Sequence, residues 1–108
     1  MAAKFEIKPI GSQFIFNLKA ANGEIILTSQ PYKSRAYALN GIELVRKYSA
    51  IDERFEIRKN DDATLFFVLK AANSQIIGTS KIHHALQALQ KGIASVKRNA
   101  PYAHIAER

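Results

Sequence analysis

A fourteen-residue stretch of this chain occurs twice, and that duplication limits the fold more than any other feature. Residues 16–29 read FNLKAANGEIILTS and residues 67–80 read FVLKAANSQIIGTS. At the same offset of 51, held from Phe14 through Ala50, 13 of 37 positions are identical, where unrelated sequence would agree at roughly one in twenty. The architecture is therefore expected in two copies. Asn22-Gly23 separates an alternating run from Ile25-Ile26-Leu27-Thr28, and Asn-Gly is the pair that most readily takes positive φ at both centres of a type I′ turn. Each stretch is predicted to be a β-hairpin, in the first of which Lys19 faces Ile26, Leu18 faces Leu27 and Phe16 faces Ser29. Phe14, Phe16, Leu18, Ala20, Ile25 and Leu27 then share a core face, matched in copy two by Leu65, Phe67, Leu69, Ala71, Ile76 and Gly78. The opposite face, with Ile15, Ile26, Phe66, Val68 and Ile77, is unusually apolar for solvent. Asn73-Ser74 in place of Asn-Gly predicts a second turn that is strained or of another type.

The flanking residues complete the unit. Lys4-Phe5-Glu6-Ile7-Lys8 alternates strictly and recurs as Arg54-Phe55-Glu56-Ile57-Arg58, a first strand for each copy. That offset is fifty, so copy two carries one extra residue in its first turn, around Asn60-Asp61-Asp62-Ala63. After Ser29 the period changes. Ser34 is placed to cap a helix with the inward stripe Ala38, Ile42 and Val45; the matching stripe in copy two is Leu86, Leu89, Ile93 and Val96. Gly41 and Gly92 occupy the same point inside these helices, where glycine costs about 1 kcal/mol relative to alanine. That cost predicts a helix so close to the sheet that a Cβ would block it. Asn99-Ala100-Pro101 ends the second helix, and the tail at 102–108 is expected to fray.

The predicted class is α+β: a tandem β-β-β-α repeat with pseudo-twofold symmetry, an antiparallel sheet packed against two helices. At 108 residues one domain is expected (repeat one 4–50, repeat two 54–101, tail 102–108), since half the chain would bury too little surface alone. These residues resemble the YegP-like family of small bacterial proteins. The LKAANG hairpin, Asn40-Gly41-Ile42 and the Val45-Arg46-Lys47 helix end carry the likeness, over about residues 4–101. The resemblance implies a β-β-β-α duplicate, single-copy relatives that would need to dimerise, and no established activity, so no residue role is carried over. Copy two departs from the pattern at Ser74, Gly78 and His83-His84-Ala85-Leu86, where the polar helix start is missing. A site near that helix end is therefore expected in copy one only.

Charge and chemistry narrow the function less. The net charge is +7, spread through both halves, which favours approach to nucleic acid, anionic lipid headgroups or acidic proteins. The chain holds no cysteine, and its longest apolar run, Leu65 to Leu69, falls far short of the roughly twenty residues that span a bilayer. A cytoplasmic protein without a membrane partner is expected, a monomer with internal pseudo-dimer symmetry. His83 and His84, as neighbours, point to different faces; they are read as a solvated helix start, and no metal or cofactor is expected. No convergent pair of titratable groups suggests an enzyme.

Lys19 and Lys70 sit beside the turn residues Asn22 and Asn73, a symmetric set that could bind phosphate or carboxylate. The same lysines also suit a role in keeping strands soluble. The helix ends Arg46-Lys47 and Lys97-Arg98 join the candidate anion-binding set, though cations there also complement the helix dipole. Two readings stay open. One is a small binding or protein-interaction module using Ile15, Ile26, Phe66, Val68 and Ile77 as a contact face. The other is a nucleic-acid binder in which the basic residues track phosphate and Phe66 stacks on bases.

Overall fold

The strands and helices form where the two periodicities place them. In the computed structural model, which describes residues 2–107, the order is β1 (Lys4–Ile10), β2 (Gln13–Lys19), β3 (Ile25–Thr28), α1 (Arg35–Tyr48), a 3-10 turn (Asp52–Arg54), β4 (Phe55–Lys59), β5 (Leu65–Lys70), β6 (Ile76–Thr79), α2 (Leu86–Asn99) and β7 (His104–Glu107). One seven-stranded sheet runs β4-β5-β6-β3-β2-β1-β7. Its centre is the antiparallel pair β3–β6, joined at Thr28 and Thr79, two residues equivalent in the repeat. Pairing equivalent residues antiparallel is what puts the pseudo-twofold axis there. α1 packs on its own β2 and on β6 of the other repeat, while α2 packs on β5 and on β3, so the copies interlock over one core. No helix among the described residues is long and apolar enough to cross a membrane.

The first main hairpin turn differs from the expected type I′ geometry, while the second is, as expected, strained and of another type. Gly23 N–H donates to the Ala20 carbonyl and Ala20 N–H to the Glu24 carbonyl, each at 2.9 Å, and only Gly23 has positive φ (85°). This is a type I turn followed by one left-handed residue, closing a three-residue loop. The Asn22 side chain supports it by accepting from Glu24 N–H at 2.9 Å. Copy two repeats the arrangement with Ser74 at φ 69°, and Asn73 accepts from Gln75 N–H at 3.0 Å. The turn is thus the same in both copies, with the strain falling on Ser74. Lys19 now pairs with Ile25 instead of Ile26, and the ladder regains the expected register at Leu18–Leu27 by bulging at Ile26. Ile77 is the matching bulge residue in copy two. The first turns also differ as the offset required: Gly11-Ser12 alone separates β1 from β2, whereas the connection from β4 to β5 loops through Asp61-Asp62-Ala63 between Asn60 and Thr64, whose backbones are hydrogen-bonded.

The bulges correct the expected contact face. Ile26 and Ile77 are turned inward and belong to the core. Val68 does lie on the outer face but is buried, walled in by its cross-strand partners Glu56 and Thr79. Only Ile15 and Phe66 remain half-buried there.

The helices follow their stripes with one exception. Ala38, Gly41, Ile42 and Val45 are buried in α1, and Ser34 caps it by accepting from Tyr37 N–H at 3.1 Å. In α2 Leu89 and Val96 are buried and Ile93 packs against the core, but Leu86 is 51% exposed. Its equivalent in α1 is Arg35, so the position faces outward in both copies. Ala85 occupies the α2 cap position with no side-chain hydrogen bond.

As far as Glu107 the tail does not fray; Arg108 lies outside the described residues. β7 runs parallel to β1, with Ile105 beside Phe5 and Glu107 beside Ile7. Glu107 is ion-paired with Arg35 of α1, and Arg46 donates to the Ala103 carbonyl at 2.7 Å while its guanidinium lies over the Phe5 ring. A two-point clamp from α1 therefore holds a strand too short to be secure alone.

Candidate functional site

Each helix glycine sits above a ring that the sequence did not single out. Tyr32 and His83, equivalent at the repeat offset, lie between the hairpin and the helix, and each makes a two-bond backbone bridge, Tyr32 to Phe14 and His83 to Leu65. Tyr32 stacks on Phe16 (centroids 6.0 Å, 12° between planes) and His83 on Phe67 (6.2 Å, 17°). A Cβ on Gly41 would stand 2.3 Å from the Tyr32 hydroxyl oxygen; one on Gly92 would stand 3.1 Å from the His83 ring. The close approach predicted for both glycines is present, but it is made to these inserted rings. His83 is accordingly a ring nine-tenths buried rather than a solvated helix start, while His84 is exposed.

On the α2 side this arrangement leaves a cleft of about 580 Å³ between the helix and the β2–β3 hairpin. Ala20, Ala21 and Ile26 form its apolar wall, and Ala88, Gly92 and Ser95 are the small residues of α2 that face it. His83 lines it, with ring nitrogens that bond to no other described residue and are open to the cleft. Burial, reinforced by the charge of Lys81, lowers the imidazole pKa below its ordinary value. A neutral imidazole presents one donor and one acceptor to whatever enters. Lys81, Lys91 and Arg98 stand around the rim with the single carboxylate of Glu24, three positive charges against one negative, for a local excess of +2. Lys81 is held by Glu24 at 2.9 Å, whereas Lys91 and Arg98 have no ion pair among the described residues. Asn22 and Asn99 add uncharged polar groups.

The equivalent surface of α1 is filled by Leu44 and Tyr48, which stand where α2 has Ser95 and Asn99 and pack against the core with Tyr32; Tyr37, which stands where α2 has Ala88, is 61% exposed. Copy two therefore has a concavity beside α2 that copy one lacks at the matching surface. The signal was present in the sequence. Aligning the repeats shows three large-to-small changes at spacings of seven and four, one face of a helix.

The other candidate anion-binding residues are dispersed and mostly engaged. Lys19 bonds Glu6 at 2.8 Å and Lys70 bonds Glu56 at 2.7 Å, a pair of equivalent ion pairs on the outer face. The two lysines lie on β2 and β5, three strand spacings and so at least about 14 Å apart, too far to share one small anion. Arg46 clamps the tail, Lys97 pairs with Asp52, and Lys47 lies over the Tyr48 ring at 5.2 Å. Asn73 serves its own turn. Of the candidate set, the structure brings only Asn22 and Arg98 to the cleft.

The family described as a domain of unknown function (DUF1508) matches this chain twice, over residues 11–56 and 61–107. Each span runs from the turn before a repeat's second strand into the strand that follows its helix, reaching the start of β4 in the first case and the end of β7 in the second. A UPF0339 protein of Pseudomonas aeruginosa is 47% identical over 108 residues, covering 99% of this chain and 98% of its own. UPF0339 protein YegP of Escherichia coli O157:H7 is 50% identical over 100 residues, covering 92% and 91%. The solution NMR structure of the E. coli yegP protein, described as of unknown function, superposes with a TM-score of 0.93 at 43% identity, over 100% of this chain and 94% of that one. A UPF0339 protein of Shewanella oneidensis, also solved by NMR, gives 0.92 at 41% identity, over 99% and 92%. The duplicated hairpin-and-helix unit, the sheet order it builds and these likenesses together make the chain a two-repeat member of the DUF1508 (UPF0339) family.

Proposed function

We propose that this protein is a non-catalytic binding module that holds a small organic anion in the α2 cleft. The observation that carries the reading is His83. Its ring is held by stacking on Phe67 while its nitrogens are bonded to no described residue and open to an apolar-walled cleft, whose rim carries Lys91 and Arg98, neither ion-paired among the described residues. An anion would gain two charge-assisted contacts at the rim and one directional hydrogen bond from the ring. Glu24 is the one carboxylate lining the cleft and is already bound to Lys81, so the cleft offers no second group for general acid–base work.

The test is a titration followed by amide NMR shifts, using citrate, inorganic phosphate and a nucleoside monophosphate as probes. Saturable shifts confined to Ala20, Ala21, Ser95 and their neighbours are expected for at least one probe, and should vanish in Ser95→Leu/Asn99→Tyr, which installs the α1 residues. Absence of cleft shifts with all three probes at about 10 mM, or shifts that survive this filling, would overturn the reading. The same titration with single-stranded RNA tests the nucleic-acid alternative. That alternative requires an affinity falling steeply with salt and shifts spread over the basic outer face.

A further inference from the structure

β1 and β4 are equivalent strands with nearly the same sequence, KFEIK and RFEIR, yet their edges differ. β1 is covered by β7, and Ile7 is 2% exposed; β4 is the last strand of the sheet, and Ile57 is 46% exposed. The clamp differs as well. Arg35, which holds the tail strand in copy one, is replaced in copy two by exposed Leu86. Among the described residues, the clamp that holds the tail on β1 is not repeated at the β4 edge.

What β4 carries instead is self-complementarity. We infer that two copies of the chain pair antiparallel through β4, about a twofold axis at Ile57. In that register Ile57 meets Ile57 of the second copy, Glu56 meets Arg58, and Phe55 meets Lys59. Glu56 and Arg58 already bond within the strand at 2.6 Å, so both heads lie on the outer face where a cross-copy pair would form. The neighbouring symmetric registers are excluded by charge. Centring on Glu56 opposes Glu56 to itself and Arg54 to Arg58; centring on Arg58 opposes Arg58 to itself. Registers offset by one residue would set outer residues against inner ones. Like charges directly opposite are destabilising, so the strand specifies one alignment. β4 also contains neither glycine nor proline to disrupt a ladder. Because the contact is isologous it closes at a dimer and extends one continuous sheet across both copies.

Sedimentation equilibrium of the full chain from about 10 μM to about 1 mM tests this. The expected result is a mass rising from 12.1 kDa toward, and not beyond, twice that value. Ile57→Lys, at a half-exposed site, should fold by circular dichroism and stay monomeric throughout. Glu56→Arg and Arg58→Glu singly should each weaken dimerisation by about tenfold, and the double exchange should restore it, since the charges are again opposite. A chain monomeric at 1 mM, a dimer that persists in Ile57→Lys, an exchange variant no better than the singles, or a mass passing the dimer would each overturn the inference.

Discussion

α1 and α2 meet the sheet through the same glycine and the same neighbouring isoleucine, but one junction is filled and the other is open. Under α1 a long phenol passes beneath Gly41, and Leu44 and Tyr48 close the space beside it. Under α2 the shorter imidazole stops beneath Gly92, and Ser95 and Asn99 leave a cleft. The comparison teaches how a duplicated fold can keep one packing solution and still vary how far it is filled. The backbone solution, including the inserted ring, is kept in both copies, while side-chain volume is withdrawn from one face of one helix. Stability rests more heavily on the α1 junction, where an extra aromatic and an extra leucine bury apolar area, at roughly 25 cal/mol per Å² removed from water.

The largest expected effects test how tightly the rings fit. Gly41→Ala should cost about 1–3 kcal/mol, because the Tyr32 ring is fixed by Phe16 behind it and by its backbone bridge and cannot swing away. Gly92→Ala needs only a few tenths of an ångström from His83, and the helix-propensity gain of up to about 1 kcal/mol should leave it near neutral. Urea melts of both variants decide the point. Equal costs would mean that the rings do not set the helix distance, and adding His83→Tyr should make Gly92→Ala expensive. A comparable asymmetry lies at the pseudo-twofold axis, where equivalent positions hold Leu27 and Gly78. A Cβ on Gly78 would meet Leu27 Cδ2 at 2.6 Å, so two leucines cannot face each other there. Gly78→Ala should therefore cost about 1–3 kcal/mol, and combining it with Leu27→Ala should cost less than the sum of the two changes.

Next in size are the helix starts. Ser34→Ala should lose about 1 kcal/mol by leaving Tyr37 N–H without its acceptor, while Ala85→Ser should gain a similar amount by supplying one at the bare α2 cap. If both changes prove neutral, the starts of α1 and α2 are equivalent after all, and the difference between the junctions lies wholly beneath the helices.

Much of this was legible in the chain, and the misses have identifiable causes. The repeat, both hairpins, both helices and the meaning of Gly41 and Gly92 follow from periodicity and offset, because those signals are local. Ile26 and Ile77 were misplaced because a two-residue turn was assumed at Asn22-Gly23 and carried over to Asn73-Ser74, whereas both adopt a three-residue turn that shifts each hairpin by one bulge. The tail was missed because four residues at 104–107 carry no period of their own; their partner β1 lies a hundred positions away and their anchors are Arg35 and Arg46. His83 was misread because its burial depends on a ring slot that only the Gly92 geometry reveals. The cleft was written in the paired positions Tyr37/Ala88, Leu44/Ser95 and Tyr48/Asn99, which become informative once the two helices are compared residue by residue.

The smallest expected effect is one of pH, and it isolates His83 from the carboxylates. Burial lowers the His83 pKa from 6.5, so below that value the unfolded chain takes up a proton that the folded chain still refuses. With the unfolded state binding more protons, stability falls as the pH drops below about 6.5, and the loss stops growing once the folded-state pKa is passed. Glu56, Glu107 and Asp62 also have lowered values, through hydrogen bonds from Lys70, Arg35 and Thr64 respectively, but they start from 4.5 and 3.8. Their stabilisation is lost as the pH falls through that lower range, so the two windows separate. Stability measured by urea melts between pH 7.5 and 5.0 should decline in the wild type. In His83→Tyr, which carries the α1 residue, much of that slope should be gone, because tyrosine does not titrate there. Parallel slopes in the two proteins would show that the imidazole takes its proton as easily folded as unfolded. The ring would then be far wetter than its stacked position implies, and the contrast between a filled and an open junction would lose its chemical half.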